Sequence, residues 1–89
     1  MTRIIGFILH GNFEKSYSKQ SSLIKKAFIE RKNLLLIDQQ HPLLNNHTLH
    51  GKWIGYRSIN ITGDIRAVFK VEGFFVIFLE IGSHSQLYE

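Results

Sequence analysis

The run from Gly51 to Gly82, GKWIGYRSINITGDIRAVFKVEGFFVIFLEIG, decides the fold. Thr62-Gly63-Asp64 and Glu72-Gly73 are turn signals, because Gly and Asp tolerate the backbone angles that tight turns require. They divide the run into three strands, Lys52 to Ile61, Ile65 to Val71 and Phe74 to Ile81. Alternation in the first places Tyr56, Ser58 and Asn60 on one face and Trp53, Gly55, Arg57, Ile59 and Ile61 on the other. Phe74 to Ile81 is apolar almost throughout, as expected of a strand covered on both faces in the middle of a sheet.

Working outward, Thr2 to Leu9 has the β-branched and aromatic character of another strand, ended by His10-Gly11. Asn12 is a suitable N-cap for a short helix to about Gln20, with Phe13 and Tyr17 on one face. Ser21 or Ser22 caps a second helix in which Leu23, Ile24, Ala27, Phe28, Arg31, Leu34 and Leu35 follow helical spacing. Pro42 disfavours helical geometry at His41, so this helix ends by about Gln40. Leu43 and Leu44 then anchor a loop that Asn45-Asn46 turns into the second half. The order β-α-α-β-β-β implies an α+β fold, a helical hairpin packed on a twisted, mainly antiparallel sheet of about four strands.

Eighty-nine residues form a single domain, 1–89, since chains divide only beyond roughly 250 residues. A hydrophobic share of 44% with seven phenylalanines is enough to order a small core, which argues against a disordered chain. The absence of cysteine excludes disulfides, thiol catalysis and cysteine zinc sites, and fits the cytoplasm. The apolar run Ile4 to Leu9 is too short for a signal-peptide core or a membrane span, so no membrane association is expected.

The net charge of +4 invites an anionic partner. Up to residue 46, seven basic side chains face three acidic ones; from residue 47 onward four face four. The surplus lies on the helices, as a solvated face or as a rim that attracts phosphate. The second half is neutral and gathers His47, His50, Lys52, Arg57, Asp64, Arg66, His84 and Tyr88. His47-x-x-His50 has no obvious carboxylate or cysteine partner, so neither a metal nor another cofactor is expected.

The segments HTLHGKWIGYR (47–57), NITGD (60–64), IRAVF (65–69) and IGSHSQLY (81–88) resemble the RelE superfamily of toxins from toxin–antitoxin pairs, and its YafQ branch above all. The resemblance is specific over about residues 41 to 88 and general over the N-terminal strand and helices. It implies a ribosome-dependent endoribonuclease that cuts messenger RNA and is silenced by a cognate antitoxin, with DNA met only through that antitoxin. By motif position His47, Asp64 and His84 match catalytic residues of the YafQ branch, and Tyr88 matches its terminal aromatic residue. Arg66 falls where RelE carries a catalytic arginine. Asn60 stands where the YafQ pattern has a histidine, and Glu80 where it has a site arginine.

Cleavage through the 2′-OH needs a base for that hydroxyl, an acid for the 5′-oxygen and a cation for the phosphorane. Histidine suits either proton role because it titrates near neutrality. The resulting assignment is His84 as acid, Asp64 and His47 as base or orienting groups, and Arg66 on the phosphate. Tyr88 is the candidate for base stacking, and His50, Lys52, Arg57 and Asn60 for RNA contact. Plainer roles exist for each: a loop or cap for His84, a loop for His47, a turn for Asp64, a structural pair for Arg57, packing for Trp53 and Tyr56. Register bears on the charge. A three-residue loop centred on Gly73 sets Arg66 opposite Glu80, whereas a two-residue loop at Glu72-Gly73 sets it opposite Leu79. Two readings besides the nuclease stay open: a catalytically weak or inactive antitoxin-binding module, and a gyrase-directed relative.

Overall fold

Ser21 accepts a hydrogen bond from the Ile24 N–H at 3.2 Å and so starts helix α2, Ser22–Ile37. Every third or fourth residue of α2 then turns inward, with Phe28 and Leu35 fully covered. Leu23, expected on that face, is 73% exposed in the first turn. Helix α1, Gly11–Ser18, precedes it and is capped by His10 rather than Asn12. His10 is extended and its Nδ1 accepts from the Asn12 N–H at 3.1 Å, which moves the cap two residues upstream.

This computed structural model describes residues 4–88, so the expected strand start at Thr2 lies outside the described residues. The sheet has five strands rather than four: β1 (Gly6–Leu9), β2 (His47–Thr48), β3 (Arg57–Asn60), β4 (Ile65–Glu72) and β5 (Phe75–Ser83). Their order is β1-β5-β4-β3-β2. β1 runs parallel to β5 and every other pair is antiparallel, so the sheet is mixed. β5 lies inside it, as its apolar sequence requires. A fifth strand escapes a propensity reading because it is two residues long. The strand expected from Lys52 to Ile61 shrinks to Arg57–Asn60: Gly51–Trp53 is a 3-10 turn and Gly55 takes φ +92°, which breaks the extended run.

Both register expectations are overturned. Glu72 faces Phe75 across a Gly73-Phe74 loop, and the positive φ of Gly73, +62°, is what a glycine-first hairpin turn needs. A bulge between Val68 and Phe69 then leaves Leu79 unpaired, so Arg66 faces Gly82 and Glu80 faces Val68.

Under the helices, Phe13, Phe28 and Phe78 meet with ring centroids 5.0–5.6 Å apart, joined by Ile59, Ala67, Phe69 and Ile81. A smaller cluster, Leu49, Val68 and Leu87 with Trp53, Tyr56 and Tyr88 packed against it, sits separately. It is covered by the last helix, α3, His84–Tyr88. At five residues this helix is too short for apolar periodicity to mark it. No helix among the described residues is long and apolar enough to cross a membrane.

Candidate functional site

Cross-strand pairing sets out the second face. His47 pairs with Ser58 and Asn60 with Arg66, and directly paired residues share a face. Ser58 is fully buried and is the one polar side chain in that state among the described residues. It is satisfied by the Tyr88 hydroxyl, which donates to Ser58 Oγ at 2.9 Å. The Trp53 indole N–H donates to the Leu87 carbonyl at 2.8 Å, capping a carbonyl that the short helix leaves free. Trp53 thus joins the groove face instead of the helix-covered face that strict alternation assigned to it, because the 3-10 turn and Gly55 reset the phase.

The start of α3 is fixed by a capping box. The Ser83 hydroxyl accepts from the Gln86 N–H at 3.2 Å, and the Gln86 side-chain oxygen accepts from the Ser83 N–H at 2.8 Å. A Cβ at Gly82 would come within 2.9 Å of that Gln86 oxygen, so the glycine lets the box close. The motif Ser83-x-x-Gln86 is the sequence signal from which this helix could have been found. The helix carries His84 on its first turn, with the imidazole edge-on to Tyr88 at 4.7 Å between centroids.

His47, His50, Arg66, His84 and Tyr88, with Asn45, Thr48 and Leu49, line one groove of about 440 Å³. Residues 47 and 84, far apart in sequence, therefore border the same space. The His47 Nδ1 lies 2.8 Å from the Asn45 carbonyl. A carbonyl only accepts, so Nδ1 carries the hydrogen and the neutral ring keeps its lone pair on Nε2. Asn45 holds the backbone for this at a positive φ of 45°, a conformation asparagine tolerates better than most residues.

Arg66 is half-buried, and its Nη1 donates to Asn60 Oδ1. Its buried Nε has no partner. No carboxylate pairs with it among the described residues, whose one ion pair is Lys70–Glu72. Glu80, which the register reading set against Arg66, instead accepts from the Ser16 hydroxyl on α1 and from the Ile81 N–H. The groove therefore contains an arginine whose charge is met only by a neutral amide.

The other candidates stand apart. Asp64 is exposed in the β3–β4 turn, does not line the groove and makes no hydrogen bond among the described residues. Arg57 donates through Nε to Asn46 Oδ1 at 2.7 Å, a structural pair that ties β3 to the preceding loop. Lys52 is exposed beside the groove, its ammonium 5.9 Å from the Trp53 ring centroid. Asn60 acts behind Arg66 rather than on the groove wall. Among the described residues no group of three or more His, Cys, Asp or Glu is placed to hold a metal ion.

A family model for a bacterial toxin of a type II toxin–antitoxin system, YafQ, matches residues 7–89. Comparison with curated protein sequences returns no match. Among solved structures, a copper-bound mutant toxin from Helicobacter pylori superposes with a TM-score of 0.71 at 25% identity, covering 96% of this chain and 100% of that one. The E. coli DinJ-YafQ toxin–antitoxin complex gives 0.67 at 22% identity, covering 98% and 99%. The toxin–antitoxin complex RelBE2 from Mycobacterium tuberculosis gives 0.75 at 15% identity, covering 96% and 95%. The last two likenesses establish the shared fold.

Proposed function

The chain belongs to the YafQ family of bacterial toxins of type II toxin–antitoxin systems, and from that premise we propose that it is a ribosome-dependent endoribonuclease that cuts messenger RNA through the 2′-OH. The observation that carries the reading is Arg66, a half-buried cation without a carboxylate, in a groove bordered by three imidazoles, those of His47, His50 and His84. A buried charge is costly unless something pairs with it, and a phosphodiester is the anion that an RNA-cutting groove admits.

In this reading the His47 Nε2, kept free by the Nδ1 bond to Asn45, takes the proton of the 2′-OH. The 2′-oxygen attacks phosphorus, the bond to the 5′-oxygen breaks, and protonated His84 delivers a proton to that leaving oxygen. Arg66 neutralises the phosphorane, and Asn60 holds the guanidinium in place. Tyr88 keeps His84 oriented through ring contact and offers its face to a base. His47, rather than the exposed Asp64, serves as the base because it alone of the two lines the groove. No metal or other cofactor takes part.

A cognate antitoxin that covers the groove would silence it, and DNA would be met through that antitoxin. The DinJ-YafQ complex, whose fold this chain shares, supports an antitoxin as partner. The test is cleavage of ribosome-bound message by the purified chain, with cut sites mapped by primer extension. Wild type cuts, His84→Ala does not, and added antitoxin stops the reaction. Intact message with folded wild type overturns the nuclease reading and selects a non-catalytic antitoxin-binding module. That alternative draws on Asn60, which cannot shuttle protons where the family pattern has a histidine.

A further inference from the structure

The groove does not end at Tyr88. His50 and Tyr88 also border a depression of about 220 Å³, whose other walls include Lys52 and Trp53. Lys52 and Trp53 in turn border a larger cavity of about 600 Å³ between α1 and α3. Each hollow shares two wall residues with the next, so the three adjoin one another in series. The far cavity is walled by Lys19 and Gln20 just past the end of α1, Glu80 of β5 and Gln86 of α3. Its volume is that of an ordinary small-molecule site, and nothing in the acid–base chemistry uses it.

We propose that single-stranded RNA leaving the catalytic groove crosses the Lys52–Trp53 bridge and seats one nucleotide in this cavity, where Glu80 accepts a hydrogen bond from the exocyclic amino group of the base. The inference rests on the RNA-cleavage reading and adds base selection to it. Glu80 is half-buried, and both of its hydrogen bonds, from Ser16 and Ile81, fall on Oε1. Oε2 has no partner among the described residues, although the carboxylate is held in place from α1. An ionised carboxylate only accepts, so it favours cytosine, adenine or guanine, which carry an amino group, over uracil. Cytosine and uracil make the sharpest pair, because the amino group at C4 of the first is a carbonyl in the second. Lys19 and Lys52, both exposed on the cavity's walls, supply cations for the flanking phosphates.

The experiment is equilibrium binding of tetracytidylate and tetrauridylate to the His84→Ala chain, which keeps the RNA intact. Tetracytidylate is expected to bind about tenfold more tightly, the effect of one hydrogen bond to a charged group. In Glu80→Gln the amide oxygen takes over the Ser16 and Ile81 bonds and an NH₂ replaces Oε2, so the preference reverses toward uracil. Lys19→Gln keeps the base preference and lowers the slope of log affinity against log salt by about 0.7, the share of one single-strand phosphate contact. Equal binding of the two oligonucleotides, or a preference unchanged by Glu80→Gln, overturns the inference. Cleavage of ribosome-bound message by the wild-type chain is scored separately. A chain that cuts without discriminating loses the subsite and keeps the nuclease.

Discussion

Against the helices, the sheet buries Phe13, Phe28, Phe69 and Phe78 with every ring shielded from water. On the groove side it buries three apolar side chains, Leu49, Val68 and Leu87. The second face is held by directional bonds instead: Tyr88 to Ser58, Trp53 to Leu87, and the reciprocal Ser83–Gln86 cap. Burial is non-directional and tolerates small shifts, whereas a hydrogen bond weakens steeply when misaligned. The helix face therefore sets how stable the chain is, and the groove face sets where its imidazoles stand.

If that division holds, the largest change in stability comes from the helix face. Phe28→Ala, which removes a ring packed against Phe13, Tyr17 and Phe78, is expected to cost about 3–5 kcal/mol in urea unfolding. The fraction that remains folded should cut message at the wild-type rate. A variant of full stability and no activity would put the functional scaffold under the helices and end the comparison.

Arg66→Gln should do the reverse. Loss of the phosphate cation is expected to slow cleavage by about 10²–10³-fold, the usual result of removing one transition-state donor. Stability should hold or rise, because the variant removes a buried Nε that has no partner in the free protein. Parallel urea titration and single-turnover cleavage check both halves. A drop in stability as large as that of Phe28→Ala would mean that Arg66 serves the fold.

The helix-covered face was legible in the sequence and the groove face only in part, for the same physical reason. Apolar periodicity marks Phe13, Phe28, Leu35 and Phe78 because burial acts on residue type and spacing alone. It also separates Ser58 and Asn60 on β3 from Ile59 and from Ile61 just beyond the strand. Polar bonds between distant residues leave no such period. Nothing in the spacing announces that Trp53 reaches Leu87 or that Glu80 reaches Ser16, 64 positions away. The parallel seat of β1 and the bulge at Leu79 are tertiary choices, and the Gly73-Phe74 loop and the bulge, one position each, moved the partner of Arg66 from Glu80 to Gly82. The family pattern named His47 and His84; it took the chain's path to bring them to one groove.

A smaller effect probes the bonds of the groove face one at a time. Tyr88→Phe leaves the Ser58 hydroxyl buried without its partner, which is expected to cost about 1–3 kcal/mol. Adding Ser58→Ala removes the orphan and should recover most of that loss, so the two substitutions are strongly non-additive. Additive losses in the urea cycle would show that the hydroxyl pair contributes little, and that Leu87 and Val68 hold α3 by packing.

The smallest expected loss of stability is the most telling. Gln86→Ala breaks half of the capping box, leaving the Ser83 N–H without its acceptor while the Ser83 hydroxyl still caps the Gln86 N–H. Caps of this kind contribute about 1 kcal/mol, and a five-residue helix has few other bonds to hold its first turn. His84 stands on that turn. A displacement of the acid by about 1 Å can slow a reaction by about 10²-fold, far more than the loss of stability would suggest. Cleavage should therefore fall steeply in a chain whose urea midpoint drops by only about 0.3–1 M, and a Gln86→Glu variant, which restores the acceptor, should recover the rate. If both variants cut at the wild-type rate, α3 keeps its place through Trp53 and Tyr88 alone, and directional control of the groove belongs to those two bonds.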